Sequence, residues 1–520
     1  MRQDSAKPSA HARHVAKLCE CLFAPTAHLH GLTKPSLRLL QQAALTHDLG
    51  AAKTTTLCAE LPTRSDTLFH HALAGLAADE RRLVAHALAA FHLGHRVETQ
   101  RAAVGRGRER AALEIAWRLG AILRIADALD RSRSQRVDVL AAADDGAGVE
   151  ILVSGGQTAA ADARAALQMA DLWNAVALRP VRAVRIEERA GGLARPVSPG
   201  GTVAEVARRL LRGPFEQFVA REHGLAYERD IEYVHEMRVA LRRFLAVLRV
   251  TRTALDIDYR KVRDAATWLV DALGVVRDFD VFVAFLRRYA REAPGHHQPV
   301  VRRLIRAEQQ KRRRGYRALL DLFESDRYAR VRDDLRALFL ASTPGTRLHE
   351  AGEAGEETVA RYAPRALRTR LKRVLAYRER LDLLAAEDQH ALRIACKRLR
   401  YTAEIFGSVY VEAASCRFGS KRLEAASTAD GIAEIIGPMV KLQDTLGDVH
   451  DADVYRERIE QYARRHARGR GAAEALAALL AHLDGWRAAA LRKAASVWLE
   501  FRARKTQRQL KEIIDSPMAE

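Results

Sequence analysis

The stretch that decides the fold is His235-Glu-Met-Arg-Val-Ala-Leu-Arg-Arg243, because the chain contains it a second time in altered form. The second copy reads His390-Ala-Leu-Arg-Ile-Ala-Cys-Lys-Arg398. In an α-helix, which turns about 100° per residue, each histidine shares a narrow stripe with the basic residues three and seven positions later. The apolar residues lie on another face in each copy, and the predicted core positions are Met237, Leu241, Phe244, Leu245, Leu248, Leu392, Leu399 and Phe406. The pattern therefore predicts two amphipathic helices with a basic face and a buried face.

Two further landmarks are repeated in the same order. Leu273-Gly-Val-Val-Arg-Asp-Phe-Asp280 recurs as Leu446-Gly-Asp-Val-His-Asp-Ala-Asp453, and Gly315-Tyr-Arg317 recurs as Gly485-Trp-Arg487. The three landmarks lie 155, 173 and 170 residues apart from their copies. Three matches in one order indicate an internal duplication, in which each copy supplies a set of helices.

The remaining sequence favours a mainly α fold with more than one domain. The chain has 520 residues, 48% of them hydrophobic, and only 14 prolines, so it can bury several helical cores. Short β-prone runs occur at 137–140, 149–153 and 181–186. The domain prediction is a helical domain (1–135), a small α/β appendage (136–189), a Gly/Pro/Ser-rich linker (190–201), a duplicated helical region (202–505) and a C-terminal tail (506–520).

Charge points to a polyanionic partner. The chain carries 86 Lys and Arg against 65 Asp and Glu, a net charge of +21, and residues after 200 contribute +15 of it. Nucleic acid, an acidic membrane surface and inorganic polyphosphate all satisfy this charge. The five cysteines are scattered, which argues against a disulfide framework or a structural zinc site. No signal peptide or long apolar run is present, which predicts a cytoplasmic protein without a membrane partner.

The spacing of the basic residues suits a ligand with repeating phosphates. Like charges four residues apart in a helix repel by about 0.2–0.5 kcal/mol per pair, so a bound anion would relieve them. Arginine binds phosphate oxygens with its planar fork, lysine acts as a point charge, and histidine donates a hydrogen bond. The alternative is that these basic helix faces are exposed to water and bind no ligand. The aspartates at 278, 280, 451 and 453 could orient arginines, cap a helix or hold a cation, and orientation is favoured.

The duplicated motifs resemble those of the conserved histidine α-helical domain family, CHAD, over about 202–505. The resemblance implies two similar antiparallel helical bundles with a basic groove between them, binding of inorganic polyphosphate and association with polyphosphate granules. Carried onto this chain, the implied polyphosphate contacts are His235, Arg238, Arg242, Arg243, His390, Arg393, Lys397, Arg398 and Arg400.

The N-terminal region contains an ordered set of residues that could bind a metal. His11, the pair His47-Asp48, and Asp127 supply imidazole and carboxylate groups that can hold a divalent ion and support hydrolysis of phosphate esters. The alternative is that these side chains are buried, hydrogen-bonded groups without a metal. Apart from this divalent ion, no cofactor is expected.

The sequence around these residues resembles the HD-type helical C-terminal part of the exopolyphosphatase/guanosine pentaphosphatase family, over about 10–188. In that family hydrolysis belongs to an actin-like region that precedes this part, and the chain has no room for it before residue 10. The resemblance therefore implies a domain that assists polyphosphate binding rather than an enzyme, and no catalytic residue is assigned.

The favoured function is polyphosphate binding by the duplicated domain, with the N-terminal domain assisting. The alternative is a metal-dependent phosphohydrolase of polyphosphate or phosphorylated nucleotides, tethered by the CHAD domain. Nucleic-acid binding is the third and least favoured, because the basic stripes lack interleaved aromatic residues for base stacking. A homo-oligomer is left open.

Overall fold

The computed structural model describes residues 8–50, 73–144, 146–154, 159–186, 201–227, 230–255, 257–340, 356–417 and 429–515. The predicted linker, 190–201, lies outside these residues except for its last glycine. The fold is mainly α, as predicted. Within the described residues, no helix combines the length and the apolar character needed to cross a membrane.

Helices and strands are numbered in chain order. The N-terminal elements are α1 (Ala10–Phe23), α2 (Ala27–His30), α3 (Lys34–Thr46), α4 (Ala78–Leu93), α5 (Val97–Ala103), α6 (Arg108–Ala128), β1 (Asp138–Asp144), β2 (Val149–Ser154), α7 (Ala159–Gln168), α8 (Asp171–Val176) and β3 (Val181–Ile186). The C-terminal elements are α9 (Val203–Ala220), α10 (Glu232–Val250), α11 (Tyr259–Glu292), α12 (Gln298–Glu324), α13 (Asp326–Leu340), α14 (Val359–Leu375), α15 (Ala386–Arg417), α16 (Ala429–His466), α17 (Arg470–Arg502) and α18 (Arg504–Asp515).

The chain divides into two compact units. The first unit comprises Met1–Arg195 and Gly213–Ala240, and the second comprises Pro196–Arg212 and Leu241–Glu520. The division falls inside α9 and α10. The first part of the motif helix α10, which carries His235 and Arg238, therefore belongs to the first unit, and its second part belongs to the second unit.

The core of the first unit is built around α6. This helix is buried along most of its length, as its run of Ala, Ile, Leu and Trp predicts, and it packs against α1, α3 and α4. Gly120 lets α4 approach closely, since a Cβ at this position would lie 2.6 Å from the carbonyl oxygen of Ala87. A larger residue at 120 would force the two helices apart.

The three β-prone runs form a sheet on this unit. β1 and β2 pair antiparallel, and β2 pairs parallel with β3 after the crossover through α7 and α8. Alternate residues of β2 are buried, so one face of the sheet contributes to the core. The three β-prone runs overlap these strands, and the segment between β2 and β3 contains α7 and α8.

Residues 213–240 pack onto the N-terminal helices. Gly31 has a φ of +65°, and its Cα lies so close to the backbone of Ala220 that a Cβ would overlap it. The Asp230 carboxylate accepts a hydrogen bond from the Thr33 hydroxyl, and Tyr233 is fully buried in the core of this unit. These contacts attach the start of α10 to the N-terminal helices.

A buried ionic network stabilises the first unit. Glu114 on α6 is only 4% exposed and accepts charge-assisted hydrogen bonds from Arg101, Arg110 and Arg118. Burial opposes ionisation of Glu114, but Arg118 and Arg101 outweigh it and lower the pKa of Glu114. Arg118 is itself buried, and this burial lowers its pKa although Glu114 partly compensates. The carboxylate is therefore the charge that makes burial of Arg118 tolerable.

The second unit consists of long helices packed as hairpins. α11 packs on α12, α15 on α16, and α16 on α17. One apolar cluster joins the two copies of the repeat: the ring of Phe282 lies 4.8 Å from that of Tyr455, and Phe285 stacks 5.5 Å from Trp486. The copies therefore share part of their core.

The copies also begin in the same way. Thr202-Val-Ala opens α9 and Thr358-Val-Ala opens α14, and these two threonines form an antiparallel bridge. The Val203 N–H donates to the Glu357 carbonyl at 3.0 Å, and the Val359 N–H donates to the Gly201 carbonyl at 3.0 Å. This reciprocal pair is a local two-fold relation between the repeats. The shared Thr-Val-Ala tripeptide is a fourth repeated landmark, which the three landmarks identified in the sequence do not include.

Candidate polyanion-binding residues and a candidate metal centre

The two motif helices bury the apolar faces that the repeat predicts. Of the predicted core positions on α10, Met237, Leu241, Phe244 and Leu248 are fully buried, and Leu245 is half-buried. On α15, the buried positions are Leu392, Leu399 and Phe406. The opposite faces carry the basic residues, which are half-buried for the most part.

In the second unit the repeated histidine lies in a group that we call the histidine cluster: Arg242, His390, Arg393 and His450. The rings of His390 and His450 are 4.9 Å apart. Burial, Arg393 and His390, in that order, lower the pKa of His450, so this imidazole is neutral at pH 7 and can donate one hydrogen bond.

Arg393 connects the two repeats within this cluster. Burial lowers its pKa, Asp451 acts in the opposite direction, and Arg242 lowers the pKa further. Since Arg242 comes from the first repeat and Arg393 from the second, basic side chains of both copies act on one another. The Nε atom of Arg393 is buried and has no hydrogen-bond partner among the described residues.

A second group, the arginine cluster, comprises Arg249, Arg370, Arg373 and Arg398. Burial lowers the pKa of Arg370, and Arg373, Arg398 and Arg249 lower it further. Burial, Arg249 and Arg373 likewise lower the pKa of Arg398, whose buried Nε atom has no hydrogen-bond partner in the part of the chain that the structure describes. None of these four guanidinium groups forms an ion pair with a described residue. They constitute uncompensated positive charge.

The arginine cluster borders an open pocket of about 490 Å³. Two of its lining residues are basic, and the complete lining is Arg373, Ala376, Tyr377, Ala391, Ile394, Ala395 and Arg398. Of this cluster, the implied contact set contained only Arg398. Arg370 and Arg373 were missed, because nothing in the spacing along α14 shows which of its many arginines face α15.

The other implied contacts in the second unit differ in their surroundings. Arg400 forms an ion pair with Glu404 at 2.7 Å, which compensates its charge. Lys397 lies 5.8 Å from the ring centre of Tyr401, and Arg243 is exposed. His235 and Arg238 are half-buried on the part of α10 that belongs to the first unit.

Two of the four repeated aspartates, Asp280 and Asp453, orient arginines, which is the role predicted for them. The Asp280 carboxylate accepts a hydrogen bond from Nε of Arg312, and Asp453 accepts one from Nε of Arg487 at 2.6 Å. Among the described residues, these four aspartates do not form part of a metal-binding group.

Three of the four candidate metal ligands converge in the first unit. His11 and His47 are 5% and 4% exposed, and their Nε2 atoms lie 3.0 and 3.2 Å from the same Oδ1 atom of Asp127. The Nδ1–H of His11 donates to the buried Asp130 carboxylate at 2.7 Å, and that of His47 donates to the Ala44 carbonyl at 2.6 Å. With both Nδ1 atoms engaged, each imidazole presents Nε2 toward Asp127.

The charges at this group are coupled. Burial opposes protonation of His47, but Asp127, the Ala44 carbonyl and Asp48 outweigh it and raise the pKa of His47. Burial opposes ionisation of Asp127, yet His47 and His11 lower the pKa of its carboxyl group. His47 Nε2 lies 3.2 Å from Asp127 without the geometry of a hydrogen bond, and a cation that binds there would have to displace the Nε2 proton.

Asp48 stands apart from this group. Its Oδ1 atom is 3.5 Å from His47 Nε2 and 3.3 Å from the guanidinium of Arg133. The group that could hold a metal consists of His11, His47 and Asp127. The buried Asp130, which sequence analysis did not include, orients His11.

Residues 209–429 match the model of the family described as the CHAD domain. The chain contains a CHAD domain. The match includes both copies of the histidine motif, and it ends before the second copy of the Leu-Gly motif. The HD-type resemblance of the N-terminal region stays a prediction.

Two curated relatives share part of this chain. The uncharacterized protein Rv2226 of Mycobacterium tuberculosis strain ATCC 25618 / H37Rv is 29% identical over 237 residues, which cover 44% of this chain and 40% of the relative. The uncharacterized protein MT2285 of strain CDC 1551 / Oshkosh is 28% identical over the same length and coverage. The chain thus spans about two fifths of the length of these relatives.

Two solved structures are also similar. The crystal structure of the CHAD domain from the plant Ricinus communis has a TM-score of 0.45 and 22% identity, and the match covers 61% of this chain and 97% of that one. PptA from Streptomyces chartreusis has a TM-score of 0.42 and 17% identity, covering 57% of this chain and 100% of that one.

Proposed function

We propose that the chain binds inorganic polyphosphate through the basic side chains of its CHAD domain. The observation that carries this proposal is the concentration of positive charge in the second unit, where burial and neighbouring guanidinium groups lower the pKa of Arg370, Arg393 and Arg398. Packing cations together costs free energy unless an anion binds between them. Phosphate oxygens match the donors that these arginines offer.

The arrangement favours a polymer over a single phosphate. His390 of the histidine cluster and Arg398 of the arginine cluster are eight residues apart on α15, a rise of roughly 12 Å along the helix. A ligand with charge at every unit can engage both clusters, whereas one phosphate ion can engage only one. The proposal includes association with cytoplasmic polyphosphate granules, with the N-terminal unit assisting.

The affinity for long-chain polyphosphate is expected to fall steeply with salt. Each phosphate contact releases counterions, so a plot of log K against log salt concentration should be linear, with a slope of about −0.7 to −0.9 per contact for a nucleic-acid reference. Titrations of polyphosphate, single-stranded DNA and RNA at equal phosphate concentration measure this directly. Tighter binding of DNA or RNA than of polyphosphate would favour the nucleic-acid alternative.

Polyphosphate binding is also expected to strengthen as the pH falls through 6.5, the ordinary value for histidine. The free protein holds the pKa of His450 below that value, and a bound polyanion would raise it, so binding is coupled to proton uptake. The gain should reach up to roughly tenfold per unit of pKa change. His450→Gln should flatten this part of the pH profile, and an unchanged profile would place His450 outside the binding site.

We propose a second, independent function for the first unit: a divalent-cation site made by His11, His47 and Asp127. The convergence of two buried Nε2 atoms on one carboxylate oxygen, with both Nδ1 atoms held by acceptors, is the arrangement of metal-binding histidines. A cation bound there would act as a Lewis acid and would lower the pKa of a coordinated water molecule. This site underlies the alternative function, a phosphohydrolase of polyphosphate or phosphorylated nucleotides.

Cation binding at this site should strengthen as the pH rises. In the metal-free protein the raised pKa of His47 stabilises the fold below pH 6.5, and that stabilisation is lost as the pH rises through the raised value. A cation competes with this proton. Calorimetric titration with Mn²⁺ or Zn²⁺ at several pH values should show the trend, and His47→Ala should abolish it.

Phosphate release from polyphosphate or nucleotides separates the two roles of this unit. If the first unit is an enzyme, phosphate release should depend on metal and should disappear in the His47→Ala variant. Metal binding without turnover supports the assisting role, and a protein that binds no metal leaves His11, His47 and Asp127 as a buried hydrogen-bonded group.

A further inference from the structure

A second group of potential metal ligands lies in the second unit, away from the basic clusters. His296 and His297 occupy the turn between α11 and α12, and Glu474 lies in the first turns of α17. One nitrogen from each histidine and one carboxylate oxygen all lie within 4.8 Å of one another. The two imidazole rings are 4.2 Å apart.

His297 is the unusual member of this group. Its side chain is 6% exposed, and neither Nδ1 nor Nε2 has a hydrogen-bond partner among the described residues. Buried polar groups nearly always have a partner, because leaving one unsatisfied costs about 1–3 kcal/mol. His297 therefore has two nitrogens without a partner among the described residues, and a bound cation would satisfy one of them.

The surrounding chemistry indicates which cation would bind. Imidazole and carboxylate together suit zinc and the neighbouring first-row metals, whereas magnesium and calcium prefer oxygen ligands alone. His296 and Glu474 are exposed, so a cation can reach the site from solvent and keep a further position open.

We propose that His296, His297 and Glu474 bind a Zn²⁺-like divalent cation. The site joins the turn of the first repeat to the start of α17 in the second repeat. These elements flank the shared core, in which Val301 and Leu304 of α12 pack with Ala475 and Leu479 of α17. The bound cation links the two repeats at the end of their common core and stabilises this unit.

The test uses the full chain, freed of metal with a chelator and then titrated with Zn²⁺ or with Co²⁺, whose absorption spectrum reports its ligands. Glu474→Gln preserves the size of an exposed side chain but removes its charge, so it should lower the affinity of one site at least about tenfold. Glu500→Gln, an exposed position on the same helix, is the matched control and should bind metal as the wild type does.

His297→Leu provides a separate test. Because it removes an unsatisfied buried group, the metal-free variant should remain as stable as the wild type. It should nevertheless bind one fewer cation per chain than the wild type. Its Tm should also rise less on addition of metal. Combining it with His47→Ala tests whether the two proposed sites are independent.

Wild-type stoichiometry and affinity in both Glu474→Gln and His297→Leu would overturn this proposal. That outcome would leave a bound water molecule as the partner of His297. Neither result depends on polyphosphate, because no basic-cluster residue is altered.

Discussion

Replacing Arg242, Arg393 and Lys397 together by alanine is expected to weaken polyphosphate binding by at least about three orders of magnitude. A hydrogen bond to a charged group contributes about 1.5–3 kcal/mol, and a tenfold change in affinity corresponds to about 1.4 kcal/mol. Removal of Arg242 also relieves Arg393 in the free protein, so the single variants should not be additive. Fluorescence anisotropy with labelled long-chain polyphosphate at near-physiological salt measures the loss.

A matched control separates local contacts from net charge. Arg291, Arg336 and Lys505 are exposed positions of the same unit, outside both basic clusters. Their triple alanine variant loses the same three charges. Equal weakening in both variants would show a diffuse electrostatic attraction, whereas retained binding in the Arg242, Arg393 and Lys397 variant, with unchanged helix content by circular dichroism, would refute the assignment of these residues.

Replacing Glu114 by alanine is expected to destabilise the first unit by about 3–5 kcal/mol, because it leaves the buried Arg118 without its counter-charge. Arg101 and Arg110 lose the same acceptor. The pKa of Glu114 is lowered, so its contribution is present above its ordinary value of 4.5 and is lost as the pH falls through the lower folded value. Urea denaturation followed by near-ultraviolet circular dichroism reports the change.

Glu109→Ala is the control for this measurement. It removes the same side chain from an exposed position of α6, and a change within about 0.5 kcal/mol is expected. Glu114→Gln keeps the shape of the side chain and one acceptor oxygen, so its loss of stability should lie between those of Glu109→Ala and Glu114→Ala. A loss below 1 kcal/mol in Glu114→Ala would mean that water solvates Arg118 in the variant.

Most of the correct structural predictions came from the internal repeat. The positions of Met237, Phe244, Leu392 and Phe406 follow from helical periodicity alone, because an apolar stripe must face a core whatever lies opposite. The strands of the appendage followed from their β-branched runs. These features depend only on the local periodicity of the chain, which a single sequence is enough to show.

Which helices pack against one another could not be predicted from the sequence. Arg249 and Arg398 come together through packing of α10, α14 and α15, and nothing in the spacing of either helix specifies that meeting. The same limit applies to the start of α10, where Tyr233 is buried against N-terminal helices although the motif continues without interruption. At the candidate metal centre, the sequence motif includes Asp48, whose Oδ1 atom lies 3.5 Å from His47 Nε2 and 3.3 Å from Arg133. The contact of Asp130 with His11 could not be predicted from the motif.

The apolar cluster shared by the repeats makes each copy depend on the other. Phe282, Phe285 and Tyr289 of the first copy are buried in one cluster with Tyr455 and Leu479 of the second, so either copy alone would expose apolar surface to water. The reciprocal hydrogen bonds beside Thr202 and Thr358 have the isologous pattern of a symmetric dimer, in which each partner makes the same contact with the other. At this bridge, one chain therefore contains the kind of contact that two identical subunits form.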